Sequence, residues 1–345
     1  RLFSSCVFIV YHQIISGNLA QCHLERLSER FDCHPEVASN EDACLSRGCC
    51  WKPLNETMLE ERLAIPSCYF PKDYAGYAVT RIETSTDRIT LHLERQIPSG
   101  IDVDIRAARV ELLFYDRNTL RIRTLGTAEK RFVPPVPRIP FRTFAGDRQY
   151  TVTYNETNGE IKVHRHETPD TVMCALYKPI HCQTSDISIF LGNRQFILVH
   201  LPLLTVLEKS DSVSTMWEHL DCLARTFCKR TIDVHGNMYG SHPFYLGLER
   251  DGKSHGVFLH NSNSIEILLQ PTPAATFRTI GGILDIFILV GPTPAMVVQQ
   301  YQHVVGLPTL PPYWSLGFHL CRYEYGSLDR TRFIMEKNIE AQIPL

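Results

Sequence analysis

Six of the chain's 12 cysteines are crowded into one short stretch, and this cluster constrains the fold more than any other feature. They are Cys22, Cys33, Cys44, Cys49, Cys50 and Cys68. The adjacent Cys49 and Cys50 cannot easily bond each other, because a disulfide needs converging side chains with Cα atoms about 5.5 Å apart. A unit of about 50 residues buries too little apolar surface to be stable alone. The cluster therefore predicts a small disulfide-linked domain from an oxidising compartment.

Zinc binding is the alternative explanation for such a cluster. Structural zinc sites use cysteine pairs separated by about two to four residues. The spacings from Cys44 to Cys49 and Cys50 do not fit this pattern, so disulfides are favoured. Elsewhere, His164 and His166 alternate without an acidic or cysteine partner nearby in the sequence, which favours a solvated strand over a metal site. No metal, cofactor-binding or catalytic residue is assigned, and six cysteines alone leave the pairing open.

Composition excludes two further classes of function. The net charge is -2 and no basic stripe is present, so nucleic acid is not an expected partner. No apolar run is long enough to cross a bilayer. Residues 1–20 contain a short apolar patch but make a poor secretory signal. We expect them to be a disordered leader or the remnant of a signal or anchor, and any membrane association to depend on such an anchor.

Three motifs in the cysteine-rich stretch are specific to one domain family. They are Arg30-x-x-Cys33-x-Pro35, the run from Cys44 through Cys49-Cys50-Trp51, and Pro66-Ser67-Cys68-Tyr69-Phe70. On these motifs residues 21–72 resemble a trefoil, or P-type, domain. Two departures are Asn40, where the family usually has Ser or Thr, and a charged insert between Cys50 and Cys68.

The trefoil resemblance implies a disulfide pairing and a role. The implied pairs are Cys22–Cys50, Cys33–Cys49 and Cys44–Cys68. The role it implies is adhesion, spacing or weak sugar contact. Trp51 is the candidate sugar contact because it borders the trefoil cleft by resemblance, and Trp217 and Trp314 are weaker candidates.

After Pro71 the sequence pattern indicates a series of short strands. Ile89, Leu91 and Leu93 alternate with polar residues, which is the period of a half-buried strand. Asn158-Gly159 and Asp251-Gly252 are strong hairpin signals. The run ILDIFILV is too apolar to be half exposed. Residues 73–307 are therefore predicted to form an antiparallel β-sandwich.

The C-terminal stretch changes to helical signals. Thr293 and Pro294 predict the start of a helix that ends near Val305, before Gly306. Ser327 predicts the cap of a second helix. Together with a strand expected over 314–321, this second helix forms a β-loop-α unit.

Residues 233–345 resemble the N-terminal part of glycoside hydrolase family 31, in its intestinal maltase-glucoamylase and sucrase-isomaltase group. The stretches that carry the resemblance are GNMYGSHPFYLGLE, HGVFLHNSNSIEILLQPTPAATFRTIGGILDIFILVGPTP and LPPYWSLGFHLCRYEYGS. The resemblance implies a retaining α-glucosidase, with residues 308–345 as the start of an incomplete (β/α)8 barrel. The overall expectation is a mainly β chain: trefoil, antiparallel sandwich and first βα unit.

The motifs that carry catalysis in this family are absent. The 345 residues contain neither the W-x-D-M-N-E stretch of the nucleophile nor the D-I-D-Y stretch of the substrate site. Residues 178–232 diverge from the family, and residues 227–230 read Phe-Cys-Lys-Arg where F-x-R-D is expected. A different exon or reading frame would explain this loss of pattern. We therefore expect the chain to be inactive by itself.

Three hypotheses follow for the function. The first is the N-terminal portion of an α-glucosidase-like hydrolase in carbohydrate metabolism. The second is a non-catalytic secreted protein that binds glycans or mucins, and the third is a non-functional relic. The expected partner is an α-linked oligosaccharide or glycan, bound weakly. Asn55 and Asn155 are sequons for glycosylation in a secreted chain. The expected location is extracellular or in the secretory pathway, with the apical plasma membrane surface as the specific candidate.

Overall fold

The structure is a computed structural model of the 345-residue chain. It describes residues 22, 30–34, 39–54, 65–71, 74, 76–98, 105–127, 131–135, 144, 146–157, 159–166, 171–176, 186–190, 195–200, 243–249, 251–263, 265–270, 274–279, 281–320 and 325–343. Residues 1–20, which we expect to be a leader, lie outside the described residues, and so does the sequon residue Asn55. Most of the divergent segment 178–232 does so as well.

The cysteine-rich stretch contains one short helix and one short ribbon. The helix is Glu41–Ser46, and strands β1 (Cys50–Trp51) and β2 (Cys68–Tyr69) pair antiparallel. Asn40 caps the helix, because its Oδ1 accepts the Ala43 N–H at 2.9 Å. Asparagine is as good an N-cap as serine or threonine. The departure from the family pattern at Asn40 therefore keeps the cap.

Three disulfides hold this stretch together, in the pairing that the trefoil resemblance implies. They are Cys22–Cys50, Cys33–Cys49 and Cys44–Cys68, with Cα–Cα distances of 5.5, 6.4 and 5.7 Å. Phe31, Phe70 and Tyr74 pack with the bonded cysteines into a small buried cluster. The sulfurs of Cys33, Cys49 and Cys68 lie within 4.8 Å of one another, which is a spacing a metal could use. Their disulfide bonds leave no thiolates for a zinc ion.

The chain then forms two seven-stranded sheets. Their strands are β3 Tyr77–Thr84, β4 Arg88–Arg95, β5 Ala107–Phe114, β6 Thr119–Gly126, β7 Tyr150–Tyr154, β8 Ile161–Arg165, β9 Thr171–Leu176, β10 Asp186–Phe190, β11 Gln195–His200, β12 Phe244–Leu248, β13 Ser254–Leu259, β14 Ile265–Gln270, β15 Ala274–Thr279 and β16 Leu284–Leu289. The first sheet has the order β12-β13-β16-β6-β5-β4-β3, and the second has the order β14-β15-β11-β10-β9-β8-β7.

Almost all neighbouring strands are antiparallel, as the sequence predicts. The difference is the pair β9 and β10, which run parallel with Asp186 opposite Cys174. Strands β10 and β11 come from the divergent segment, and β11 pairs with β15 along six residues from Gln195 to His200. The divergent segment thus still supplies two strands to the second sheet.

One core cluster joins the two sheets. Leu91 and Ile122 of the first sheet are fully buried, as are Ile161 and Val163 of the second. Strand β16 is buried along its whole length, so the prediction for the run ILDIFILV is confirmed. The apolar face predicted for β4 is confirmed, because Ile89, Leu91 and Leu93 all lie in this core, but Thr90 on the other face is buried as well.

The turn and cap signals are confirmed where the structure describes them. Gly252 has a φ of 84° between β12 and β13, a backbone conformation that glycine adopts without strain. The helix Pro294–Val305 begins at Thr293, whose Oγ1 accepts the Met296 N–H at 3.3 Å. It ends before Gly306, which has a φ of 96°.

Residues 305–345 form a separate compact unit. It contains a 3₁₀ helix, Tyr313–Leu316, and the helix Leu328–Glu340, whose Ser327 cap accepts the Arg330 N–H at 3.2 Å. The prediction of a strand over 314–321 was wrong for residues 314–320, none of which lies in a strand. Ser315 instead donates its N–H to the Pro312 carbonyl at 2.9 Å, a local bond that replaces the pairing a strand takes from neighbours.

We expect residues 315–320 to exchange their amide hydrogens much faster than residues 257–259. No residue of the 3₁₀ helix is buried, and Tyr313 is 91% exposed. Residues 257–259 lie in β13, which pairs with strands on both sides. Amide exchange with mass spectrometry measures the difference. Equal protection in the two segments would contradict the expectation.

No helix among the residues that the structure describes is long and apolar enough to cross a membrane.

Candidate functional site

Trp51, the candidate sugar contact, lies on the short ribbon of the cysteine-rich domain. It stands opposite Cys68 in the pairing of β1 with β2. Its ring is partly buried and packs against the disulfide-linked cluster, while the next residue, Lys52, is exposed. A half-exposed indole beside polar groups can stack on the apolar face of a sugar ring. This position is compatible with weak glycan contact.

Arg30 holds the ribbon through hydrogen bonds to backbone carbonyls. Its side chain is buried, and Nη1 donates to the carbonyls of Lys52 at 2.7 Å and Pro66 at 3.3 Å. Its guanidinium also lies 4.7 Å from the centre of the Tyr69 ring. Burial raises the pKa of Tyr69, and the nearby Arg30 charge opposes part of that rise. Arg30 is therefore used to hold the strands that carry Trp51.

The sandwich contains a fully buried carboxylate, Asp285, at the centre of an ion cluster. Arg121 donates from Nε and Nη2 to its two oxygens at 2.8 and 2.6 Å, and His260 Nδ1 lies 3.0 Å from Oδ2. Burial alone would raise the pKa of Asp285, but the bonds from Arg121 and His260 outweigh it and hold the pKa below its usual value. Asp285 is thus kept ionised inside the protein.

A second, partly buried ion cluster links the two sheets. Glu249, just after β12, accepts from Arg165 Nη2 at 2.5 Å and lies 3.0 Å from His255 Nδ1. Arg165 belongs to β8 of the second sheet, and it also donates to the Ser254 carbonyl. Burial raises the pKa of Glu249, while His255 and Arg165 lower it by more. This carboxylate is also held in its charged form.

Glu111 has arginine partners of its own on the first sheet. It is 9% exposed and pairs with Arg109 at 3.0 Å and with Arg123 at 3.3 Å. Arg123 lies directly opposite Glu111 in the pairing of β5 with β6. Cross-strand pairs of opposite charge stabilise a sheet at such positions.

These three carboxylates fit structural roles. A retaining glycosidase needs one carboxylate as nucleophile and a second, with a raised pKa, as proton donor, the two about 5 to 5.5 Å apart. Asp285 and Glu249 instead have lowered pKa values. All three are occupied by arginine. Asp285 and Glu249 are therefore poor proton donors.

The other predicted site residues are scattered. Asn155 is exposed at the tip between β7 and β8. Trp314 is 74% exposed in the 3₁₀ helix of the C-terminal unit. Trp217 and Asn55 lie outside the described residues.

Sequence reasoning missed the two buried ion clusters. The available signal was a single acid inside an apolar run, as with Asp285 in ILDIFILV. A charge in such a run requires a buried partner, because an unpaired one is costly to desolvate. Arg165 is a second case: it lies between His164 and His166, in a stretch interpreted as solvated, and it is 5% exposed.

Comparison with protein families finds two matches. Residues 22–71 match the trefoil (P-type) domain, and residues 308–345 match the TIM-barrel domain of glycosyl hydrolases family 31. The disulfide-linked ribbon and the C-terminal unit thus each belong to a known domain type.

Curated relatives cover nearly the whole chain. The mouse lysosomal α-glucosidase is 34% identical over 92% of this chain and 33% of its own length. The human intestinal sucrase-isomaltase is 33% identical over 97% of the chain and 18% of its own length, and the human probable maltase-glucoamylase 2 is 30% identical over 92% and 13%. The chain spans about a third of the length of the lysosomal relatives, and less of the others.

A glucosidase II α subunit crystal structure aligns with a TM-score of 0.48 and 15% identity, covering 77% of this chain and 38% of that one.

The chain is thus a disulfide-linked trefoil domain followed by a mainly antiparallel β-sandwich. Its residues 308–345 match the TIM-barrel domain of glycosyl hydrolases family 31, and its sequence relatives include lysosomal α-glucosidase and intestinal sucrase-isomaltase. Three disulfides of this kind form in oxidising compartments. The chain is therefore assigned to the secretory pathway.

Proposed function

We propose that these 345 residues act as the non-catalytic N-terminal portion of an α-glucosidase-like glycoside hydrolase of carbohydrate metabolism. In this role the trefoil and sandwich support the catalytic chemistry and do not perform it. The observation that carries the proposal is the state of three buried or partly buried carboxylates in the sandwich. Asp285, Glu249 and Glu111 are all bound by arginine, and the pKa values of the first two are lowered.

The purified chain is expected not to hydrolyse maltose or a nitrophenyl α-glucoside above background. General acid catalysis contributes about 10²- to 10⁴-fold, and a carboxylate held ionised by arginine cannot supply the proton. The assay measures released glucose and nitrophenol, with a sample pre-incubated with an aminocyclitol inhibitor as the control. Turnover that persists through purification and is abolished by the inhibitor would contradict the proposal.

Weak glycan binding through Trp51 is the second candidate function. It is favoured by the partly exposed ring of Trp51 on the rigid ribbon. The ligand would be an α-linked oligosaccharide or a mucin-type glycan. This role would suit a protein displayed at the apical cell surface, where such glycans are dense.

Replacing Trp51 with alanine should weaken glycan binding by about 2- to 12-fold, because stacking on an aromatic ring contributes on the order of 0.5 to 1.5 kcal/mol. Titration with maltooligosaccharides, followed by tryptophan fluorescence or calorimetry, measures it. Trp314→Ala is the matched control, since it removes an exposed indole from the C-terminal unit. Equal affinity of the Trp51→Ala variant and the unmodified chain would exclude Trp51 as the contact.

A further inference from the structure

The connection between the trefoil domain and the sandwich is short and follows a buried aromatic cluster. The trefoil match ends at residue 71, and β3 begins at Tyr77. Both domains lie in one compact unit, Arg1–Val304. Domains of one chain move relative to each other unless an interface holds them. The contacts made by the described residues of this connection therefore bear on whether the trefoil is hinged or fixed.

Tyr74 takes part in both domains. Its ring packs in the buried cluster of the trefoil, with 4.5 Å between the centres of the Tyr74 and Phe70 rings. Its hydroxyl donates to the carbonyl of Ile97, just past the end of β4, at 3.3 Å. A tyrosine suits such a position, because its ring is apolar and its tip forms hydrogen bonds. Tyr74 therefore links the trefoil core to the end of a sandwich strand.

Arg95, the last residue of β4, holds the hydroxyl of Tyr74 from the sandwich side. Its Nη1 donates to Tyr74 Oη at 3.2 Å, and its Nη2 donates to Tyr77 Oη at 2.9 Å. The guanidinium also lies 4.6 Å from the centre of the Tyr77 ring. A guanidinium is planar and holds its donors in a fixed fork. Arg95 therefore sets the position of one tyrosine hydroxyl relative to the other.

The sandwich fixes Arg95 and Tyr77 in turn. The Arg95 N–H donates to the Arg106 carbonyl at 2.8 Å, next to the start of β5. Tyr77 is 4% exposed, and its hydroxyl donates to the Ile105 carbonyl at 2.5 Å. A tyrosine hydroxyl has a single hydrogen. Because both hydroxyls give that hydrogen to a sandwich carbonyl, both oxygens are available to accept from Arg95, and all of these bonds form together.

We infer that Arg95 is a positioning residue that fixes the orientation of the trefoil domain on the sandwich. The surface involved is the end of β4, and the partner that fits it is the trefoil cluster of the same chain, through Tyr74. The two domains then move as one rigid body. The ribbon that carries Trp51 keeps a constant orientation relative to the sandwich. This orientation depends on contacts within the chain and not on catalysis or glycan binding.

Residual dipolar couplings of backbone amides test the orientation in the full chain. They are measured in one alignment medium for residues 39–54 and 65–71 of the trefoil and for strands β3 to β6 of the sandwich. We expect one common alignment tensor to fit both sets in the unmodified chain. In Arg95→Met, which removes both donors, the trefoil tensor should fall about two-fold or more below that of the sandwich, because domains without a fixing interface reorient independently. Different tensors in the unmodified chain, or a common tensor in Arg95→Met, would overturn the assignment.

Arg88→Met is the matched control. Arg88 is the first residue of the same strand, its side chain is 46% exposed, and it pairs with Asp87 at 3.1 Å. The control variant should keep the common tensor. If it separated the two tensors as Arg95→Met does, the effect would belong to β4 in general, and the specific role of Arg95 would be overturned.

Tyr74→Phe is a second variant that keeps the test decisive if Arg95→Met does not fold. It removes the hydroxyl that Arg95 bonds and keeps the ring in the trefoil cluster. We expect it to separate the tensors as well, and a common tensor in this variant would overturn the assignment. Amide exchange over residues 39–54 distinguishes positioning from stability. Protection there should be unchanged in every folded variant, and its loss would show that these bonds hold the trefoil fold and do not merely orient it, which would also overturn the assignment.

Discussion

Replacing both Cys44 and Cys68 with alanine is expected to unfold the trefoil domain while the sandwich stays folded. The two residues are 24 positions apart in the sequence. Loop-closure entropy then gives a loss of about 3.4 kcal/mol. A single small core of this size rarely supplies more than about 3 to 5 kcal/mol. The remaining bridges and the cluster around Phe31 and Phe70 cannot compensate.

Amide exchange over residues 39–54 and 65–71 measures the effect. Leu45→Ala is the matched control, because Leu45 lies in the same helix beside Cys44 and is 54% exposed. The control should keep native protection, and the double cysteine variant should lose it. Native protection in the double variant would show that the Cys44–Cys68 bridge does not hold the domain.

The second large effect is expected for Asp285→Asn. The change removes the charge that Arg121 and His260 share and leaves the partly buried arginine without its carboxylate. Removing one partner of a buried ion pair costs about 3 to 5 kcal/mol. The sandwich should melt on the order of 10 °C lower. Thermal unfolding followed by circular dichroism measures the shift.

Glu83→Gln is the control for Asp285→Asn. Glu83 also pairs with an arginine and a histidine, Arg81 and His92, but its side chain is 48% exposed. An exposed pair contributes at most about 1 kcal/mol. If both variants lowered the melting temperature equally, burial of the Asp285 cluster would not explain its effect.

Acid provides a second readout of the same clusters. The folded-state pKa values of Asp285 and Glu249 lie below their ordinary values of 3.8 and 4.5. Their contribution to stability is therefore complete above those ordinary values, and it is lost as pH falls through the lower, folded-state values. The unmodified chain should lose unfolding free energy below about pH 4, and Asp285→Asn should lose less of it over the same range.

Features set by neighbouring residues were predictable from the sequence. The caps Thr293 and Ser327 and the turn at Gly252 depend on side chains and glycine within a few positions. The buried strand β16 was predictable because a run of apolar residues has no polar face to expose. The disulfide pairing required the family resemblance, because the spacing of six cysteines does not select one arrangement.

Features set by distant partners were not predictable. Arg121 and Asp285 are far apart in the sequence and meet only because β6 and β16 are neighbours in the sheet. Arg165 in the second sheet likewise donates a hydrogen bond to Glu249, which follows β12 of the first sheet. The prediction of a strand at 314–321 was wrong for a related reason. Strand pairing needs partners from elsewhere in the chain, whereas Ser315 donates a local hydrogen bond to the Pro312 carbonyl.

Covalent trapping tests most directly whether these 345 residues contain a glycosidase nucleophile. An epoxide analogue of glucose alkylates a nucleophilic carboxylate in a retaining site, and intact-mass spectrometry counts the adducts. With Asp285, Glu249 and Glu111 all held by arginine, the mass of the chain should stay unchanged. A stoichiometric adduct mapped to one carboxylate, and prevented by an aminocyclitol inhibitor, would contradict the non-catalytic assignment.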